Sequence, residues 1–136
     1  MTPIITKTEL EVRYAETDQM GVVHHSNYAI YFELARVDWL QKVGMHYHEM
    51  EKNGVMLPLS RLNVNFKKPA KFGDTLQVIT KLNKMPDVKI IFEYEIFKNE
   101  ELITTGETVL VFVDKISMKP MRCPKSTQEL ISSFTS

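Results

Sequence analysis

Cysteine is nearly absent from this chain. Cys123 is the single one in 136 residues, so no internal disulfide can form and a disulfide-stapled secreted scaffold is excluded. Long apolar runs are absent too: the longest, residues 28–32 and 109–113, stop at five, against the roughly 20 needed to cross a bilayer. Neither sign of charge is in excess, with 17 Lys and Arg against 17 Asp and Glu, whereas a dedicated nucleic-acid binder carries a clear basic surplus. The five glycines never fall into G-x-G-x-x-G or a phosphate-binding loop, and no HExxH or CxxC spacing occurs. Neither a cofactor nor a metal is therefore expected. The first seven residues lack the basic and apolar blocks of a secretory signal. The expectation is a cytoplasmic protein with no membrane insertion and no nucleic-acid partner.

What remains is ordinary for a globular chain: 43% hydrophobic and 25% charged residues. The length suits one domain covering 1–136, large enough to bury roughly two-thirds of its unfolded surface. Residues 1–7 and 132–136 read as fraying ends. Residues 8–14 alternate, with Leu10, Val12 and Tyr14 on one side and Glu9, Glu11 and Arg13 on the other, as a half-buried strand does. From 27 to 43 the period becomes helical. Tyr28, Tyr31, Phe32, Ala35, Trp39 and Val43 share a stripe that Ile30, Leu34 and Val37 widen, so this helix is expected to be buried over much of its circumference. Ser26 or His25 would be its N-cap and Gly44 its stop.

A short second helix is expected before Gly54. Four strand-like segments follow, at 59–68, 75–83, 88–98 and 101–114, and their β-branched and aromatic runs suggest an antiparallel meander. In the first of them Leu62, Val64 and Phe66 oppose Arg61, Asn63, Asn65 and Lys67. Ser126 and Glu129 are spaced as a capping box for a short terminal helix. Helix and strands segregate along the chain, which favours an α+β fold over a βαβ design.

One segment carries chemistry: Tyr14-Ala-Glu-Thr-Asp18-Gln-Met-Gly21-Val-Val-His24-His25-Ser-Asn27-Tyr28. It sets a carboxylate in a loop that runs directly into a helix N-terminus. The first N–H groups of a helix have no internal partner and carry partial positive charge. They are a natural seat for negative charge developing on a carbonyl oxygen, and one such donor contributes ~3 to 4 kcal/mol in a transition state. An ionised Asp18 beside them would attack an acyl carbon or activate water. The parts fit acyl transfer to water. Asp in such a loop also commonly serves only as a turn or capping residue, so on the residues alone hydrolysis is one of two readings.

The run from 12 to 40 resembles the signature of hotdog-fold acyl-CoA thioesterases of the 4-hydroxybenzoyl-CoA thioesterase type, a group that includes the Tol-Pal-associated thioesterases. The matching residues are Arg13, Tyr14, Thr17-Asp18, Gly21-Val22-Val23, His25, Asn27-Tyr28, Phe32-Glu33, Ala35-Arg36 and Trp39-Leu40. A second match covers 66–74, with Phe66, Pro69-Ala70 and Gly73-Asp74, and the likeness continues to about residue 114. The resemblance implies a curved antiparallel sheet wrapped around a long central helix. It implies hydrolysis of an acyl-CoA or acyl-carrier-protein thioester to free acid and thiol without a cofactor. The partner is a second copy, in a homodimer or homotetramer whose composite sites are lined by two subunits.

Carried over residue by residue, Asp18 is the catalytic carboxylate, as nucleophile or general base. The His25 backbone N–H polarises the thioester carbonyl, and Tyr14 and the His25 side chain position the reacting groups. Gly21, Val22, Val23, His24, Asn27 and Tyr28 line the substrate. The sequence departs from the family where Tyr is frequent at one of positions 24 and 25, since both are His here; a phenolic hydroxyl is lost and the N–H is kept. Gln19 replaces a residue that is often small.

Other groups carry less. Lys67, Lys68 and Lys71, with Arg61, form the densest basic patch; they are candidate contacts for the phosphates of coenzyme A, or a strand edge guarded by lysines. Glu33 and Arg36 are spaced as a helical ion pair. His46 and His48, near Glu49, read as solvated or capping residues rather than metal ligands. Two other functions share the scaffold. A non-catalytic acyl-thioester-binding module would not require Asp18, and a hydroxyacyl-thioester dehydratase would need a His paired with a helix acid.

Overall fold

The structure is a computed structural model and describes residues 1–135. In chain order it runs β1 (Ile4–Glu11), α1 (Ser26–Lys42), α2 (Tyr47–Lys52), β2 (Val55–Met56), β3 (Leu59–Phe66), β4 (Thr75–Leu82), β5 (Lys89–Lys98), β6 (Glu101–Val111), β7 (Val113–Asp114) and α3 (Lys125–Ser132). Five strands form one antiparallel sheet in the order β1-β4-β5-β6-β3, and β2 pairs with β7 apart from it. The β4-β5-β6 portion is the expected meander. β3 departs from it: this strand pairs with β6, not β4, so β1 and β3 form the two opposite edges of the sheet.

The helix lies across the sheet because its bulky stripe matches the inward residues of the strands. Tyr31, Phe32, Ala35 and Trp39 are essentially inaccessible, as are Leu76, Val78, Phe92, Tyr94 and Ile96 opposite them. Phe32 stacks on Tyr94 with ring centroids 4.3 Å apart, and Trp39 meets Phe92 edge-on at 4.9 Å. The Trp39 indole N–H donates to the Ile4 carbonyl at 3.1 Å, which satisfies its buried polar group. Gly106 on β6 is what lets the helix come so close; a Cβ there would lie 2.4 Å from the Phe32 ring. Burial pushes the lone thiol of Cys123 up to about 12, with Asp87 adding to the shift, in keeping with a side chain outside any chemistry.

Several local expectations are corrected. Residues 4–7 do not fray; they pair with β4 in register from Ile4 opposite Leu82. Tyr14 is not on a strand's inner face but in a 3-10 turn, Tyr14–Glu16, and is 75% exposed. Ile30 and Leu34 do not widen the buried stripe of α1 as expected; they remain 45% and 52% exposed. The capping box at Ser126 does not form. Pro124 takes the N-cap, its carbonyl accepting the Gln128 N–H at 3.0 Å, so Ser126 falls inside the first turn. Among the described residues no ion pair joins Glu33 and Arg36; the Arg36 guanidinium instead donates to the Tyr94 hydroxyl at 3.3 Å. No helix among the described residues is long and apolar enough to cross a membrane.

Candidate active site

After β1 the chain is pinned to the start of β4, with the Val12 N–H on the Asp74 carbonyl at 2.9 Å and the Gly73 N–H on the Val12 carbonyl at 3.1 Å. It then enters the 3-10 turn and drives Glu16 inward, to 6% exposure. The Glu16 carboxylate accepts the Arg13 N–H and the Tyr31 hydroxyl, both at 2.9 Å, and meets Arg13 Nε at 3.0 Å. Burial alone would raise the pKa of Glu16, but these bonds outweigh it and hold the group below its ordinary value. Burial, and then the Glu16 charge, push the Tyr31 phenol upward, so it stays a donor.

From Glu16 the loop closes on itself. Thr17 bridges Val23, and the Asp18 N–H donates to the Val22 carbonyl at 2.8 Å. Gly21 turns the corner at φ +79°, a conformation that side-chain-bearing residues rarely adopt. Within this hairpin-like loop Asp18 Oδ1 accepts the Met20 N–H at 2.9 Å and the Val22 N–H at 3.4 Å. Its Oδ2 takes no hydrogen bond from the described residues, so one carboxylate oxygen is committed to the turn and the other is open.

The loop delivers the chain to α1. The Glu16 carbonyl accepts the His24 N–H at 2.9 Å and the Asn27 side-chain amide at 2.9 Å, so Asn27 locks the loop to the helix. His25 holds the N-cap position of α1, one of the two expected candidates, but its side chain makes no capping bond; the side-chain bond at the helix start comes from His24. Its Nδ1 lies 2.8 Å from the Ser26 hydroxyl and accepts the Ser26 N–H at 3.2 Å. The N–H groups of His24, Ser26, Asn27 and Tyr28 are thus all engaged. The N–H of His25 between them meets no acceptor among the described residues.

His25 opens onto a cleft of about 240 Å³ lined also by Val23, Tyr28, Phe66, Lys67, Lys68 and Pro69. Tyr28, 3% exposed, is its floor, and Phe66 stands against it edge-on at 5.1 Å. Asp18 and Tyr14 border a separate depression with Ala15, Thr17 and Gln19. Tyr14 packs edge-on against Phe72 at 5.6 Å.

The basic patch is divided by the fold. Lys67 and Lys68 border the His25 cleft, and Lys68 and Lys71 share a second, adjoining cleft of about 420 Å³ with Lys98. Arg61 lies five residues back along β3 from Phe66, roughly 17 Å away by strand rise, and does not join them. Lys68 is held by Glu101 at 2.6 Å and Lys98 by Asp74 at 2.8 Å. Among the described residues no three His, Cys, Asp or Glu side chains converge as a metal set would, and Glu33 is exposed on α1. Sequence reasoning missed Glu16, Lys98 and the wall made by Phe66; for Glu16 the sole signal was its spacing of three from Arg13.

Residues 12–131 match the model of the thioesterase-like superfamily. This chain belongs to that superfamily. The thioesterase resembles solved enzymes over nearly its whole length. A DHNA-CoA thioesterase from Staphylococcus aureus superposes with a TM-score of 0.90 at 41% identity, covering 95% of this chain and 89% of that one. YneP of Bacillus subtilis is 38% identical over 123 residues, 90% of this chain and 89% of its own length. The Escherichia coli acyl-CoA thioester hydrolase YbgC is 28% identical over 127 residues, 93% and 95% of the two chains. The architecture is the hotdog: one long helix wrapped by an antiparallel sheet. The thioesterase is an enzyme of the thioester-hydrolase class.

Proposed function

We propose that this thioesterase hydrolyses an acyl-CoA with Asp18 as its catalytic carboxylate and the His25 N–H as its oxyanion donor. The observation that carries this reading is the unengaged His25 N–H, left at a helix start where every neighbouring N–H is taken. A thioester carbonyl in the cleft beneath would place its oxygen on that donor, where the helix end favours the negative charge of the tetrahedral intermediate. The open Oδ2 of Asp18 then serves one of two routes. It adds to the carbonyl carbon and the intermediate expels the coenzyme A thiolate, leaving an acyl-aspartyl anhydride that water cleaves; or it takes a proton from water as that water adds. Labelled water in a single turnover identifies the anhydride route when water opens the anhydride at the aspartyl carbon: the label then enters Asp18 and the acid leaves with an Asp18 oxygen, whereas the general-base route puts the label in the acid alone.

Lys67, Lys68, Lys71 and Lys98 would meet the phosphates of the coenzyme, with Arg61 too distant to help. Tyr28 and Phe66 offer an aromatic wall to the acyl group. The 41% identical Staphylococcus aureus enzyme acts on DHNA-CoA by name, so aromatic acyl-CoAs lead the substrate panel, followed by aliphatic acyl-CoAs and acyl carrier protein thioesters. The Phe66 side of the cleft lies on the unpaired edge of the sheet, and a second copy against β3 would close it, giving a dimer with composite sites.

The test is Asp18→Asn. Thiol release should fall about 10²- to 10⁴-fold, the span a positioned acid or base supplies, while the thermal midpoint changes little. An Asp18→Asn enzyme that keeps wild-type kcat overturns the assignment.

A further inference from the structure

We infer that Glu16, held by Tyr31, is a positioning residue that sets the distance between the carboxylate and the oxyanion donor; this rests on the reading of Asp18 and His25 above. Glu16 is tied to both ends of the reacting loop. It precedes Asp18 by two residues, and its own carbonyl accepts the N–H of His24 at 2.9 Å and the amide of Asn27 at 2.9 Å. The two groups that must face one substrate carbon therefore hang from a single peptide unit. What fixes that unit is the side chain of the same residue, 6% exposed and anchored on the core helix by the Tyr31 hydroxyl at 2.9 Å.

The anchor is selective. Oε1 receives both the Arg13 N–H and the Tyr31 hydroxyl, whereas Oε2 receives only the Arg13 guanidinium, whose side chain is 73% exposed. The Arg13 side chain is free to turn to water if its partner is lost. A buried carboxylate that lost the Oε1 bonds would have no substitute partner. Glutamine can keep the Oε1 acceptor and with it the contacts that matter; alanine removes them, and phenylalanine at 31 removes one. A shift of about 1 Å in such a pair costs about 10²-fold in rate, without changing how coenzyme A is held by lysines elsewhere.

The test compares Glu16→Ala, Glu16→Gln and Tyr31→Phe with wild type, by thiol release from a hydrolysed acyl-CoA and by hydrogen exchange of residues 17–25 without substrate. Glu16→Ala should lower kcat about 10- to 100-fold with KM within about twofold, and speed exchange in that segment. Glu16→Gln should restore most of both, and Tyr31→Phe should fall between. If Glu16→Ala does not fold, Tyr31→Phe against Glu16→Gln decides: a Tyr31→Phe enzyme with wild-type kcat and exchange overturns the inference. Folded Glu16→Ala with wild-type kcat overturns it, as does Glu16→Gln no better than Glu16→Ala. Wild type that releases no thiol from any acyl thioester defeats the thioesterase assignments of Asp18 and His25 instead, while the exchange result still reports on the anchor.

Discussion

Asp18 divides its carboxylate, with Oδ1 on the Met20 and Val22 N–H groups and Oδ2 without a partner among the described residues. A turn-making Asp and a reacting Asp are therefore not rival readings of this residue; the turn is what holds the free oxygen still. Asp18 could be singled out from sequence because its neighbours form a specific contiguous string, and its catalytic role is the proposal made above. Glu16 could not, because its burial depends on Tyr31, fifteen positions later, and no local pattern announces a carboxylate that folds inward. Gly106 is similarly silent in sequence, yet a methyl there would lie 2.4 Å from the Phe32 ring and 2.8 Å from the Asn63 carbonyl oxygen. Phe32 cannot yield, since it is fully buried and stacked on Tyr94. Gly106→Ala should therefore destabilise the protein by about 1–3 kcal/mol, read as a lower denaturant midpoint with unchanged slope.

At the level of elements, strand and helix existence followed from period, but their anchoring did not. Asp38 on α1 accepts the Thr8 hydroxyl of β1 at 2.5 Å and pairs with Lys42 at 2.8 Å. Asp74 before β4 pairs with Lys98 of β5 at 2.8 Å and accepts the Lys71 N–H at 2.7 Å. In Asp38, Asp74 and Glu16 burial opposes ionisation, yet the bonds prevail and each pKa is lowered in the folded state from 3.8, 3.8 and 4.5 respectively. A lowered folded pKa means that the stability from these groups is fully present above the unfolded value and is lost as pH falls through the folded one. The thermal midpoint should hold between about pH 5 and 7 and drop below about pH 4, as scanning calorimetry would record, and Asp38→Asn should shrink that drop. The capping box at Ser126 misled because spacing alone does not say which residue leaves the helical conformation; the chain enters α3 at Pro124, where Gln128 also donates to the Pro86 carbonyl at 2.8 Å.

For the whole molecule, the telling feature is apolar surface left uncovered on α1 and β3. Ile30 and Leu34 of α1, with Leu59, Leu62 and Phe66 of β3, are each between 42% and 55% exposed, and among the described residues the outer edge of β3 has no strand beside it. Such an edge is a template for another chain. Sedimentation should find the protein at twice its 15.8 kDa mass, and Leu34→Glu should yield monomers with little thiol release; a wild-type monomer would defeat the composite-site reading. The sequence by itself determined the α+β class, the central helix and the Asp18-to-His25 string, because period, turn chemistry and a contiguous motif are all local. Only the tertiary structure decided that β3 pairs with β6, that Arg61 stands apart from the lysines, that Glu16 is an anchor, and that the His25 N–H at the start of α1 meets no acceptor among the described residues. Each depends on which distant residue arrives to accept or refuse a hydrogen bond, and that is set by packing across the sheet rather than by neighbours along the chain.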